Sequence, residues 1–184
     1  MARHNKAVFL DRDGVIVHEV DYLVKASSLK LLRGSARAIS ALRGAGYKVI
    51  VISNQSAIAR GMLSLKGLSA ITSKLKVMLK AQGAILDAVY YCPHHPDFGG
   101  KCACRKPGQA MVRRAAKKFQ LDLKASFFVG DTTTDLLTAK RAGIKGLLVR
   151  TGYGGKDGSY RIKPAKTFAD LANAARWIVE NSRP

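Results

Sequence analysis

Acidic residues are scarce in this chain: 12 Asp and Glu stand against 32 Lys and Arg over 184 residues, a formal charge of +20. The deficit leaves a field that gathers anions, whether nucleic acids, anionic membrane surfaces or small phosphate esters, without choosing among them. Long apolar runs are missing too. None approaches the roughly 20 residues of a membrane span, and Ala7 to Leu10 is too short for the apolar region of a signal peptide. A cytoplasmic protein without membrane association is expected. Cysteines number three, an odd count that argues against a disulfide framework in a reducing compartment. No aromatic stripe is interleaved with the basic residues, so a base-stacking groove is not expected either. Repeats, low-complexity tracts and linkers are absent, and 184 residues suit one domain, expected over residues 1–184 as a monomer.

What is present is alternation. Buried-strand runs fall at Ala7–Leu10, Val49–Ile52, Ile85–Tyr91, Ser126–Val129 and Gly146–Val149. Helical patterns lie between them at Ser35–Ala45, Leu65–Ala81, Gln109–Phe119 and Thr134–Ala142, several followed by glycine where a C-cap wants it. A last helical pattern covers Phe168–Val179, and Gly152–Lys166 reads as a connection to it. Strand following helix following strand predicts an α/β fold with parallel pairing and right-handed crossovers.

Ligands of such sheets gather at the carboxyl ends of the strands. The residues there are Asp11-Arg12-Asp13-Gly14, Ser53-Asn54-Gln55, Cys92-Pro93-His94 and Gly130-Asp131, with Asp135 four positions on. A lone D-x-D-G is more often a strand-ending turn. With a second carboxylate pair after another strand, the aspartates can surround a hard cation, and few oxygen donors suit Mg2+. The loop after the third strand holds every cysteine of the chain as C-x-H-x₇-C-x-C: Cys92, His94, Cys102 and Cys104. Three thiolates and an imidazole make a closed tetrahedral Zn2+ set of the structural kind. His95 is a competitor for His94.

The order D-R-D-G, S-N-Q-S, C-R-K-P and G-D-x-x-x-D, running from about Val8 to Gly152, resembles the motifs of the haloacid-dehalogenase-like (HAD) phosphatases. Within them it is similar to the branch of the heptose 1,7-bisphosphate and histidinol-phosphate phosphatases, whose zinc ligands follow the same order. The resemblance implies a three-layer, doubly wound parallel sheet without a cap domain, carrying a zinc-binding loop. It implies Asp11 as the nucleophile and Asp13 as the acid that protonates the leaving oxygen and then activates water. It further implies Mg2+ held by Asp11, the Asp13 carbonyl and Asp131, with Asp135 supporting the metal's waters or positioning Lys106. Ser53 and Lys106 would hold phosphoryl oxygens, while Asn54, Gln55, Arg60 and Arg105 would grip the rest of the substrate. Zinc would fix the loop bearing Arg105 and Lys106, and that loop would wall the pocket.

Ala57 and Thr132 depart from this pattern, standing where glycine and lysine are common in the heptose enzymes. Asn54-Gln55-Ser56-Ala57 departs further from histidinol-phosphate phosphatases, which tend to carry N-Q-D-G. The expectation is therefore a Mg2+-dependent phosphatase taking the 7-phosphate from a small phosphorylated sugar, heptose 1,7-bisphosphate. Histidinol phosphate and a polynucleotide 3′-phosphate are rival substrates, and a zinc-stabilised nucleic-acid-binding module is the non-enzymatic rival.

Overall fold

A computed structural model describes residues 5–181; the two ends of the 1–184 span expected as one domain lie outside the described residues. Six parallel strands form one sheet in the order β3-β2-β1-β4-β5-β6. They are β1 Lys6–Leu10, β2 Tyr47–Asn54, β3 Ala88–Cys92, β4 Phe127–Gly130, β5 Lys145–Val149 and β6 Lys166–Phe168. Among the described residues five α-helices cover the sheet: α1 Ser35–Gly44, α2 Leu65–Lys80, α3 Ala110–Phe119, α4 Thr133–Ala142 and α5 Leu171–Glu180.

The strands read as continuous apolar runs because both of their faces are buried. Along β1, Val8 and Leu10 point into one core with α1, α2 and α5, whereas Ala7 and Phe9 point into a second core with α3 and α4. The same alternation divides Val49 and Val51 from Ile50 and Ile52 in β2, and Phe127 and Val129 from Phe128 in β4. Period-two side-chain placement on a sheet with helices on each face gives the three-layer architecture.

Chain direction then places the site. From β1 the chain moves outward through β2 to the β3 edge; α3 carries it across the opposite face to β4, on the other side of β1. Strand order reverses between β1 and β4, and that crevice is where doubly wound sheets bind ligands. Residues inserted between strands and helices form only short turns at Ala26–Ser28 and Pro96–Phe98 and isolated bridges such as Val17 to Leu31, so no cap is inserted among the described residues. Among them no helix is long and apolar enough to cross a membrane.

Two expectations need correction. The third strand begins at Ala88, not Ile85, which is 52% exposed in the preceding loop. Phe168 belongs to a sixth strand rather than to the final helix, which starts at Leu171 with Asp170 as its N-cap. β6 has only three residues, of which Lys166 and Thr167 are exposed and Phe168 is partly buried, so it leaves no apolar run to read.

One buried polar pairing closes the sheet at the end away from the crevice. Ala7 N–H lies beyond the first β1–β4 residue pair, Val8 with Phe127, and donates instead to Ser126 Oγ at 3.0 Å. Ser126 is fully buried, and its hydroxyl in turn donates to Asp122 O at 2.6 Å. Replacing it by alanine strands a buried amide, so Ser126→Ala should lower the unfolding free energy by about 1–3 kcal/mol, measured by urea denaturation. Ser27→Ala, at an exposed position, should change it by less than about 0.5 kcal/mol.

Candidate active site

Strand ends and one helix start converge on a cavity of about 280 Å³ lined by Asp11, Asp13, Ser53, Lys106 and Asp131 among others. Lys106 is its central cation. Only 4% exposed, it places Nζ 2.6 Å from Asp11 Oδ2 and 2.6 Å from Asp135 Oδ1. Burial alone would lower the lysine pKa, but the charges of Asp11 and Asp135 outweigh it and hold the pKa above the ordinary value. Asp135 also closes a capping box at the start of α4, accepting from Thr132 N and Thr132 Oγ1. One carboxylate thereby ties a helix N-terminus to the site lysine, which is the Lys106-positioning alternative read from the sequence.

Carboxylate oxygens of Asp11, Asp131 and Asp135 all lie within 4.8 Å of one another, with a single lysine among them. Asp131 feels the excess: burial, then the charges of Asp135 and Asp11, push its pKa up to about 8. A divalent cation fits this set, since it would relieve repulsion that one ammonium leaves uncompensated. Asp131 is itself tightly walled. A Cβ on Gly14 would fall 2.3 Å, and one on Gly152 2.1 Å, from Asp131 Oδ2, and both glycines have positive φ, 71° and 63°. Only glycine on each side lets this carboxylate sit between the end of β1 and the segment after β5.

Arg12, to which sequence reasoning assigned no role, organises the neighbouring pair. It is 1% exposed and grips Asp13 with two bonds, Nε to Oδ1 at 3.0 Å and Nη2 to Oδ2 at 2.7 Å. Gln55 completes the network: Oε1 accepts from Arg12 Nη2, while Nε2 donates to Asp13 Oδ2 and to Ser53 Oγ. Both N–H donors of Gln55 and one lone pair of its oxygen are thus engaged inside the protein, on a residue that also lines the cavity. Asn54, which also lines the cavity, accepts from Lys106 N and donates to Lys106 O, so it clamps the lysine loop to the end of β2. Arg60 lies off the cavity, with its guanidinium over the rings of Phe98 at 4.6 Å and Tyr22 at 5.7 Å. Arg105 does line the cavity and donates to His94 O at 3.0 Å.

The cysteine loop closes as the sequence spacing suggests. Cys92, Cys102 and Cys104 place their Sγ atoms 3.1–3.5 Å apart, and His94 Nδ1 lies 3.3 Å from Cys104 Sγ and 3.8 Å from Cys92 Sγ. Tetrahedral Zn2+ with Zn–S of about 2.3 Å requires sulfurs about 3.8 Å apart, so a small outward adjustment would admit it. Burial and the neighbouring thiols raise the Cys92 pKa, a cost that a cation shared by all four donors would remove. His95 is not part of this set; its ring packs tilted against Phe98 and accepts from Asp97 N.

Sequence reasoning missed the opposite wall. Glu19 to Leu23, on the hairpin after β1, and Tyr153, after β5, line the cavity together with Arg105 of the cysteine loop. Burial and the charges of Asp13 and Asp11 push Glu19 up to about 7. The available signals were the Gly152-x-Gly154-Gly155 spacing and a 150–165 stretch too long for a plain connection.

Relatives place this geometry. A protein of Thermosynechococcus vestitus named D-glycero-D-manno-heptose-1,7-bisphosphate 7-phosphatase is 41% identical, covering 97% of each chain. The chain belongs to this phosphatase family. A HAD-hydrolase-like family model matches residues 103–174, from the cysteine loop into the first turn of α5. The Bordetella bronchiseptica family member is 41% identical over 96% of this chain and 99% of its own. A crystal structure of the heptose bisphosphate phosphatase from that species, complexed with magnesium and phosphate, superposes with a TM-score of 0.87 at 37% identity, covering 96% of this chain and 99% of its own. The family fold is the capless three-layer sheet described above.

Asp131 seating gives a direct test. Gly152→Ala combines a left-handed backbone with a clash against the carboxylate, whereas Gly158→Ala, at φ 67°, meets nothing with its added Cβ. The second should cost about 1–2 kcal/mol, and the first about 1–3 kcal/mol more, compared by urea denaturation.

Proposed function

We propose that the protein is a Mg2+-dependent phosphatase that removes the 7-phosphate of D-glycero-D-manno-heptose 1,7-bisphosphate through an aspartyl phosphate on Asp11. The observation that carries this is the cage at the β1–β4 crevice, in which the carboxylates of Asp131 and Asp135 and one buried lysine gather around Asp11. It is supported by the magnesium and phosphate bound to the similar Bordetella enzyme and by the substrate in the names of the relatives. Asp11, the Asp13 carbonyl and Asp131 would hold Mg2+, which when bound screens phosphoryl charge as a Lewis acid.

Asp11 attacks phosphorus, and the bond from phosphorus to the C7 oxygen breaks. Asp13, having carried the proton in, gives it to that leaving oxygen. It then takes a proton from the water that cleaves the acyl phosphate, which restores Asp11 and releases phosphate. The two bonds from Arg12 and the one from Gln55 keep the Asp13 carboxyl in one place through both steps. Lys106 follows the charge as it moves from the Asp11 oxygen to the phosphoryl oxygens, and Ser53 Oγ supplies a further donor. Glu19 and Asp21 on the hairpin wall suit sugar hydroxyls, and Arg105 suits the anionic part of the ligand. This reading includes structural Zn2+ on Cys92, His94, Cys102 and Cys104, and a monomeric, cytoplasmic, single-domain enzyme.

Asp11→Asn should lower kcat more than about 10³-fold. With Mg2+ present, phosphate release by wild type should favour heptose 1,7-bisphosphate over histidinol phosphate and a 3′-phosphorylated oligonucleotide by tenfold or more, about 1.4 kcal/mol of discrimination. A lead by another ester would replace the substrate and keep the chemistry; no release from any would remove both.

Zinc is tested separately. Cys104→Ser should lose bound Zn2+ measured by metal analysis and show faster proteolysis between residues 93 and 105. Its kcat should fall about 10–100-fold because Arg105 and Lys106 lose their support.

A further inference from the structure

The stretch from Gly152 to Tyr160 has no regular structure and no buried residue, yet it is joined to residues 131–133 by polar contacts alone. Tyr153 N donates to Asp131 Oδ2 at 2.8 Å, and Gly155 N to Asp131 O at 2.7 Å. Asp157 accepts from Thr133 N at 2.7 Å and from Thr133 Oγ1 at 2.8 Å, while Tyr160 N donates to Thr133 Oγ1 at 3.0 Å. Partial burial pushes the Asp157 pKa up, but the two donations from Thr133 bring it below the ordinary carboxylate value.

We infer that Asp157 is a positioning residue for the metal-binding edge: by anchoring this strap to the first turn of α4, it keeps Tyr153 N–H on Asp131 and so orients that carboxylate. The inference rests on the metal role proposed for Asp131. It has three physical supports. First, α4 does not need Asp157 for its own formation, because Thr132 and Asp135 already cap it; the Thr133 amide at the first helical position is what a remote acceptor can still take. Second, the strap contains Gly152, Gly154, Gly155 and Gly158, all at positive φ, so once released it regains much backbone entropy and will not hold its place unaided. Third, Asp157 provides the strap's only side-chain bonds to residues 131–133, the other contacts being backbone amides of Tyr153, Gly155 and Tyr160. Asp131 Oδ1 has no protein donor among the described residues, so fixing Oδ2 leaves one oxygen available at a fixed angle.

The test uses the full-length protein and Mn2+ as the probe, followed by electron paramagnetic resonance without substrate, alongside Mg2+ titrations of phosphate release. Asp157→Ala should weaken Mn2+ binding and raise the half-saturating Mg2+ about 10–100-fold. Its kcat at saturating Mg2+ should stay within about threefold of wild type, and amide exchange at residues 153–160 should quicken. Ser126→Ala, destabilised at the far end of the sheet, should keep wild-type Mn2+ affinity, which separates positioning from general loss of stability. If Asp157→Ala does not fold, Thr133→Val, similar in shape but without the shared hydroxyl, carries the same expectation. Wild-type Mn2+ affinity in whichever variant folds overturns the inference alone. Wild-type protein that neither binds Mn2+ nor needs Mg2+ overturns the proposed function and this inference together.

Discussion

A lysine with almost no exposure must find negative charge, and Lys106 finds it at once in Asp11 and Asp135. An uncompensated buried ammonium costs several kcal/mol, and so does a buried carboxylate that loses its partner. Three distant parts of the chain are therefore bound into one arrangement: the end of β1, the start of α4, and the loop leading from the cysteine cluster into α3. None can move far without breaking a buried charge pair. The topology makes the arrangement possible, since β1 and β4 are neighbours although more than a hundred residues separate them.

Around this pair the negative charges outnumber the positive. Asp11, Asp131 and Asp135 face one lysine, while Asp13 is neutralised separately by the buried Arg12. The two halves are thus electrostatically distinct. Asp13 sits in a network in which Arg12 and Gln55 donate to its two oxygens, and Asp131 sits where its charge is unfavourable and its oxygen is walled by glycine. Such a division suits a proton carrier that needs a fixed direction beside a carboxylate that needs a cation.

Asp11, Asp13 and Asp131 were legible because apolar runs end at them and because D-x-D-G and G-D-x-x-x-D recur in a familiar order. The cysteine cluster was legible from spacing. Arg12 was not, since an arginine is rarely fully buried and nothing in its neighbours announces that it will be. Asn54 and Gln55 were placed at the cavity, but their bonds to Lys106, Arg12, Asp13 and Ser53 were not foreseen, because one-dimensional order does not reveal which polar groups pair within the protein. Arg60 depends on the distant rings of Phe98 and Tyr22, which no local pattern connects. The strap after β5 escaped for a related reason: its hold is polar and mostly backbone, without the apolar periodicity that marks strands and helices.

The unusual charge is better understood once the acids are located. Of the chain's 12 acidic residues, Asp11, Asp13, Glu19, Asp21, Asp131 and Asp135 gather at one crevice, and Asp157 supports it from behind. Among the described residues, the Lys and Arg in ion pairs are only Arg12, Arg43, Lys48 and Lys106. The molecule is thus basic nearly everywhere except where it is expected to work. At distances beyond the Debye length of about 8 Å the field is screened, so the surface charge acts over short approach paths, drawing anions toward a crevice that by itself repels them. On the function proposed above, the outer field would favour arrival of a phosphate ester, and a cation among the inner acids would offset the repulsion the ester meets there.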